Sequence, residues 1–357
     1  MSSHRLSQLL QDYLHPFFSL ASPTDTPKNP DSFPDSQYYH TDPKDLCLVI
    51  TIIAVFAVLR DVLRLGLFEP FARWKLSRDL KSRRKAQAGN LNGSANGNGH
   101  SHSKGAFTKA ERRKMHHSVF RFAEQGWSVV YYPLQWGYGL YVHANLPTKL
   151  LDPVDVWIDY PHVVLPGPVK IYYLTQLAFY LHQILILNAE ARRKDHVQMM
   201  THHIITVFLL WGSYYYNVTR IGCLVTVLMD TCDIFLPLAK MLRYLNLPKI
   251  FPDLTFGVFM VSWFITRHVL FVIAIKSTIF DLPRNIPYIW DPERGLYLTK
   301  GSHTMFILCM LALEIIQMIW FALIIRIAWR VIMAGESASD DRSDEEGEND
   351  VIDDKDD

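Results

Sequence analysis

Two pairs of side chains offer chemistry in this sequence: His202 and His203 are adjacent, and Asp230 and Asp233 stand three apart. An imidazole titrates near neutrality, so it can take a proton as a general base or attack a carbonyl as a nucleophile. A carboxylate beside it fixes the tautomer and steadies the imidazolium. His202 with Asp233 could form that couple, which leaves Asp230 for an incoming ammonium. On helices, residues three or four apart share a side, so the two aspartates face one way, with Lys240 further along. His202 shares a polar stripe with Thr206, Ser213 and Asn217, whereas His203 is turned about 100° away. Tyr173, Gln176, Tyr180 and Gln183 fall on a second polar face, and Trp263, Arg267 and Glu314 come later in the chain.

The elements that position these groups are membrane spans. The chain has 357 residues, 49% of them hydrophobic and only 20% charged. The apolar residues gather in stretches of about 20, the length that crosses hydrocarbon. These stretches lie near 46–66, 118–140, 169–189, 202–218, 219–243, 254–277 and 303–330. The first 45 residues lack a basic start, an apolar run and a cleavage site in that order, so 46–66 reads as an anchor that stays. An ionisable group at mid-membrane costs about 2.5–3.5 kcal/mol on insertion scales, so each one needs a partner or a task. At about 1.5 Å per residue, Asp230, Arg267 and Glu314 lie at similar depth from the luminal ends of their spans. They are expected to meet as a structural charge cluster, with His202 and Asp233 nearer the cytosol.

Loop charges set the orientation, because short cytosolic loops carry excess Lys and Arg. Twelve basic residues lie between the first two spans, including Arg83, Arg84, Lys85, Arg112, Arg113 and Lys114. The next loop, 143–168, has one Lys against Asp152, Asp155 and Asp159, and the one after it holds Arg192, Arg193 and Lys194. This alternation predicts a luminal N-terminus and a cytosolic C-terminus. The net charge of +1 gives no reason to expect a nucleic-acid partner. Cys47, Cys223, Cys232 and Cys309 fall inside predicted spans at no metal-site spacing and read as small apolar residues. Asn217 opens an N-x-T sequon at the membrane surface, where glycosylation is not expected; Asn92 opens another on the cytosolic side. The expected organisation is a luminal segment 1–45, an anchor helix 46–68, a basic and Gly/Asn-rich cytosolic linker 69–108, a catalytic domain 109–334 and an acidic tail 335–357.

The region from Tyr172 to Tyr244 resembles the signature of ceramide synthases within the TLC-domain family. The resemblance rests on YYLTQLAFYLHQ (172–183), EARRKDHVQMMTHHIIT (190–206), SYYYNVTRIG (213–222), MDTCDIFLPLAK (229–240) and VSWFITR (261–267). It implies an all-α integral membrane fold of about seven helices. Six of them would form a TLC-type barrel of two three-helix repeats around the acyl chain, with one N-terminal anchor. It also implies an endoplasmic reticulum enzyme whose functional residues are His202, His203, Asp230 and Asp233. No homeobox-like segment fills the loop after the anchor, which is more like the fungal and plant enzymes.

The implied reaction joins the acyl group of an acyl-CoA to the amine of a long-chain sphingoid base, with acyl-CoA as substrate and no cofactor or metal. Arg192, Arg193 and Lys194 border the cytosolic mouth and could hold CoA phosphates, or could serve orientation alone. Tyr173, Gln176, Gln183, Ser213, Trp263 and Arg267 complete the expected substrate site. The resemblance also places acyl-length selection in the luminal loop Lys276–His303. A dimer or a small membrane subunit is an open expectation. Three rivals compete with this reading: a seven-span receptor, which gives no use for adjacent histidines in a charged shaft; a non-catalytic TLC protein that binds lipid or assists translocation, which the intact His and Asp positions disfavour; and a di-iron hydroxylase, whose His boxes are missing.

Overall fold

A computed structural model describes residues 13–92, 107–189 and 194–334 of the chain. It is predominantly helical. Helix α1 (Asp45–Leu63) runs through a π-helical turn (Arg64–Phe68) into α2 (Glu69–Asn92). Then come α3 (Lys109–Ala144), α4 (Gly167–Ala189), α5 (His196–Tyr215), α6 (Thr219–Asp233) and α7 (Phe235–Tyr244). Helix α8 (Ile250–Trp263) continues through a second π-helical segment (Phe264–Leu270) into α9 (Phe271–Phe280), followed by the short α10 (Leu282–Asn285) and the long α11 (Lys300–Ala334). Strands β1 (Pro23–Thr24), β2 (Tyr38–His40) and β3 (Val164–Pro166) form a small antiparallel sheet in that order, with Tyr39 opposite Leu165.

Among the described residues, four continuous helical stretches are long and apolar enough to cross a membrane: Asp45–Ala86, Thr219–Tyr244, Ile250–Asn285 and Lys300–Val331. The chain is thus a multi-pass membrane protein. The other three predicted spans fall in α3, α4 and α5, of 36, 23 and 20 residues. Each of these helices carries inward polar groups. Buried Gln135 on α3, Lys170, Gln176 and His182 on α4, and His203 and Ser213 on α5 dilute their hydropathy without facing lipid.

The anchor does not end near 68. Arg, Lys, Leu and Ala are good helix formers, and the helix runs on to Asn92. It gains a tertiary partner there, because Ala72 and Leu76 pack against Val119 and Phe122 of α3 and against Met241 of α7 and Leu245 just beyond it. Arg84 reaches Glu111 across the gap. The start of α3 is set by a capping box, in which Thr108 Oγ1 accepts from the Glu111 N–H at 3.2 Å and the Glu111 carboxylate accepts from the Thr108 N–H at 2.9 Å. The remainder of the Gly/Asn-rich run and the acidic tail lie outside the described residues.

A buried ion pair fastens the N-terminal segment to the bundle. Lys170 Nζ lies 2.8 Å from Asp45 Oδ1, and both side chains are 0% exposed. Lys170 also donates to the carbonyls of Ala21 and His40, at 2.8 and 2.7 Å. Tyr214 donates to Asp45 Oδ2 at 2.7 Å. Anchor helix, α4, α5 and sheet therefore meet on two charges. Nearby, the Ser22 hydroxyl donates to Asp42 and holds its carboxyl below the ordinary range. The sequon residue Asn217 is 2% exposed, in a left-handed turn with φ of 56°, and donates to the Gly295 carbonyl at 2.9 Å. It ties the α5–α6 turn to the α10–α11 loop, so the folded chain offers no acceptor for a glycan there.

Removing one partner of a buried pair costs about 3–5 kcal/mol, because the other charge is stranded. Lys170→Met is expected to lower the thermal stability of the detergent-solubilised protein by an amount of that order, and Asp45→Leu in the Lys170→Met background should restore part of it. Thermal unfolding checks this; additive losses in the double variant would show that the two charges do not act as a pair.

Candidate active site

Gln176 organises the first half of the site. It is fully buried on α4 and donates through Nε2 to Asp230 Oδ2 at 2.6 Å and to the Tyr172 hydroxyl at 3.2 Å. Tyr172 donates to Thr226 Oγ1 at 3.1 Å, and Thr226 donates to the Gly222 carbonyl at 2.9 Å. The Tyr131 hydroxyl approaches Gln176 Oε1 at 3.5 Å, and its ring stacks on Phe179 at 3.6 Å. Asp230 is itself 0% exposed, and its Oδ1 has no partner among the described residues.

Asp233, one turn along α6, is engaged differently. Arg267 lies 2.7 Å from its Oδ1, donates to the Met229 carbonyl at 2.8 Å, and places its guanidinium 4.0 Å from the Trp263 ring centre. The expected cluster of Asp230, Arg267 and Glu314 is therefore not formed. Glu314 instead accepts from His268 Nδ1 at 2.7 Å. The reason is the π-helical segment at Phe264–Leu270. A π turn adds a residue to the helical ladder, so counting at 1.5 Å and 100° per residue misplaces the side chains within and beyond it. It turns Arg267 towards α6 and His268 towards α11. The expected His202–Asp233 couple is absent for the same reason: Arg267 occupies the carboxylate, and His202 Nδ1 is buried without a partner among the described residues.

The His202 and His203 rings meet edge to face at 5.4 Å, and each has a different further neighbour. The His203 ring sits 5.8 Å from the Tyr180 ring, while the His202 ring packs at 5.3 Å on Trp320. His202, with Tyr180, lines one end of a cavity of about 70 Å³ whose wall also includes Thr206, Leu210, Ser213, Trp157, Leu282 and Leu298. From His202 to Ser213 is eleven residues of α5, about 16 Å of length.

This cavity is apolar although several of its wall residues carry hydroxyls. Thr206 Oγ1 donates back to the His202 carbonyl at 2.9 Å, Ser213 Oγ to Leu209 at 2.7 Å, and Thr278 Oγ1 to Ala274 at 2.9 Å. Each hydroxyl is thereby satisfied by its own helix. Tyr173 reaches over to the Ser213 oxygen, which it can do because residue 222 is glycine; a Cβ there would collide with the Tyr173 hydroxyl.

Of the remaining predicted residues, Trp263 is the shelf under Arg267, and Gln183 is half-buried outside the network. Lys194 is exposed, just ahead of α5 and eight residues before His202. Arg192 and Arg193 lie outside the described residues. Sequence reasoning missed Tyr172, Thr226 and Trp320. Tyr172 was detectable, since it lies four residues before Gln176 and so on its face of the helix; Trp320 comes from a helix whose pattern is uniformly apolar and left no such signal. All four cysteines are free.

Residues 121–326 match the TLC domain. The chain is 33% identical over 345 residues to a sphingosine N-acyltransferase of Schizosaccharomyces pombe, an alignment spanning 96% of this chain and 76% of that protein. It is 36% identical over 258 residues to a ceramide synthase of Gibberella moniliformis, and 32% identical over 238 residues to a ceramide synthase of Saccharomyces cerevisiae. Those matches span 64% and 65% of this chain, and 59% and 57% of the two relatives. The chain belongs to the TLC-domain family, in its sphingosine N-acyltransferase branch.

The two aspartates have different partners, so they should respond differently to neutralisation. Asp233→Asn strands Arg267 and is expected to cost about 3–5 kcal/mol of stability, part of which Arg267→Gln recovers. Asp230→Asn keeps an acceptor for Gln176 and should change stability by about 1 kcal/mol or less. Thermal unfolding of the three variants is the check; equal losses at 230 and 233 would contradict the assignment.

Proposed function

We propose that this chain is a ceramide synthase, which transfers the acyl group of an acyl-CoA to the amine of a long-chain sphingoid base and releases CoA. The observation that carries this reading is the apolar cavity with His202 at its end. Its apolar lining suits a hydrocarbon chain, and the one imidazole that lines it among the described residues stands where that chain's head group would lie. The relatives named sphingosine N-acyltransferase and ceramide synthase support the same reaction.

In this reading seven helices span the endoplasmic reticulum membrane, with the N-terminus luminal and the C-terminus cytosolic. Six enclose the cavity in a TLC-type barrel, and α1 is the outer anchor. Arg192, Arg193 and Lys194 hold the CoA phosphates at the cytosolic mouth. His202 Nε2 attacks the thioester carbon, the carbonyl electron pair moves to oxygen, and collapse expels the CoA thiolate to leave an acyl-imidazole. The ammonium held at Asp230 passes one proton to that carboxylate, the free amine attacks the acyl carbon, its second proton goes to His202 Nε2 as that nitrogen leaves, and both protons are then released to water. A nucleophilic histidine lets CoA depart before the base arrives, which suits a narrow shaft. Asp230 receives the ammonium, because Gln176 satisfies only one of its oxygens while Asp233 is already paired. His203 fixes the floor beneath Tyr180, and Asp233 with Arg267 sets the height of α6.

The test is to offer the purified chain mixed acyl-CoAs with a sphingoid base and to weigh the lipids formed. Wild type should yield ceramides, and His202→Ala should fall at least about 1,000-fold, the scale of losing a nucleophile or base. A wild-type protein that binds the acyl-CoA but yields no ceramide would favour a non-catalytic lipid-binding role; full activity in His202→Ala would leave the reaction standing and remove the histidine from it.

A further inference from the structure

Tyr180 is the polar side chain at the reactive end of the cavity that the acyl-transfer mechanism leaves unused. It is 4% exposed, it lines the cavity with His202, and its hydroxyl has no hydrogen-bond partner among the described residues. The contrast with its neighbours on α4 is what singles it out. Tyr172 is bonded to Thr226 and Gln176, and Tyr173 to Ser213. The wall hydroxyls of Thr206, Ser213 and Thr278 are turned back onto carbonyls of their own helices. The Tyr180 side chain lines the cavity and its hydroxyl is not turned back onto its own helix, so it is placed to bond a ligand that enters there.

Its level on the bundle can be fixed. Tyr173 and Ser213 are bonded across the antiparallel α4 and α5. Seven residues along α4 lead to Tyr180, and seven back along α5 lead to Thr206, each a distance of about 10 Å. Tyr180 therefore stands level with Thr206, within about one turn of His202. Its ring is seated on His203 at 5.8 Å and on Phe179 at 5.7 Å, edge-on to the latter. The ring is thus held by packing, and the hydroxyl is the part left over for the cavity.

We infer that the Tyr180 hydroxyl is a catalytic hydrogen-bond donor, which binds the thioester carbonyl oxygen of the acyl-CoA and stabilises the oxyanion formed when that carbon is attacked. The inference rests on the acyl-transfer reading, but not on its covalent route. Whether His202 or the amine attacks, the same carbonyl π pair moves onto the same oxygen, and that pair returns when the thiolate leaves. Tyrosine can supply this bond without giving up its proton. In a dry site a donor aimed at developing charge is worth far more than in water, and losing one typically costs about 100- to 1,000-fold in kcat.

The experiment compares wild type and Tyr180→Phe, a change that removes one oxygen and keeps the ring on His203. Ceramide formation is measured over a range of acyl-CoA concentrations. In parallel, the affinity of each protein is measured for an S-alkyl-CoA thioether, which has the chain and the CoA but no carbonyl oxygen. The expected result is a fall in kcat of about 100-fold or more, a KM for acyl-CoA within about threefold of wild type, and equal thioether binding. A kcat within about threefold of wild type overturns the inference. So does a rise in KM alone, which would make the hydroxyl a ground-state contact, and so does loss of thioether binding, which would make it a packing residue. Absence of ceramide from wild type would instead sink the acyl-transfer reading itself, so the two failures are distinguishable.

Discussion

Hydrocarbon offers no hydrogen bonds, so a polar side chain in this bundle is stable only if another part of the bundle answers it. The pair of Asp233 with Arg267 shows how far that demand shapes the structure. Arg267 is spread over a carboxylate, the Met229 carbonyl and an indole face, and it reaches them because its helix widens into a π turn. With Asp233 so occupied, Asp230 is left to the neutral donor Gln176 and keeps one oxygen open. The asymmetry between two aspartates only one turn apart comes from which of them the guanidinium can touch. At the opposite end of the bundle, Lys170 and Asp45 meet the same demand and in doing so fasten the N-terminal segment down.

The same rule explains how helices rich in threonine and serine line an apolar tube. Each hydroxyl bonds to a carbonyl of its own helix, which leaves methyl and methylene groups towards the cavity. The polar stripe of α5 is real in sequence and largely hidden in space. The polar groups that remain at the cavity's end are the His202 imidazole and the Tyr180 hydroxyl, in a cavity whose lining is otherwise apolar.

Much of this was legible in the sequence because helical periodicity is robust. The face of Tyr173, Gln176 and Tyr180 and the shared side of Asp230 and Asp233 can be read from spacing alone, as can the greater access of His202 over His203. The partners were less legible. Counting residues assumes a regular helix, and the π turn at Phe264–Leu270 breaks that assumption at the groups being counted. Lys170 and Asp45 escaped notice because they are 125 residues apart in the chain and each sits at the edge of an apolar stretch. The continuation of the anchor into α2 was hidden by its charge, since a basic helix and a basic linker have the same composition and only the packing of Ala72 and Leu76 tells them apart.

The central claim is that the acyl chain lies inside the cavity, with its carbonyl at His202 and its far end against Trp157, Leu282 and Leu298. An acyl-CoA carrying a photoactivatable diazirine at the end of its chain tests this directly, with the labelled residues read by peptide mass spectrometry after illumination. The account predicts labelling of Trp157, Leu282 or Leu298, at the far end of the tube, and its suppression by excess unlabelled acyl-CoA. Labelling confined to the exposed outer faces of α1 and α8, at residues such as Val58 or Val261, would place the chain in the surrounding lipid and contradict it.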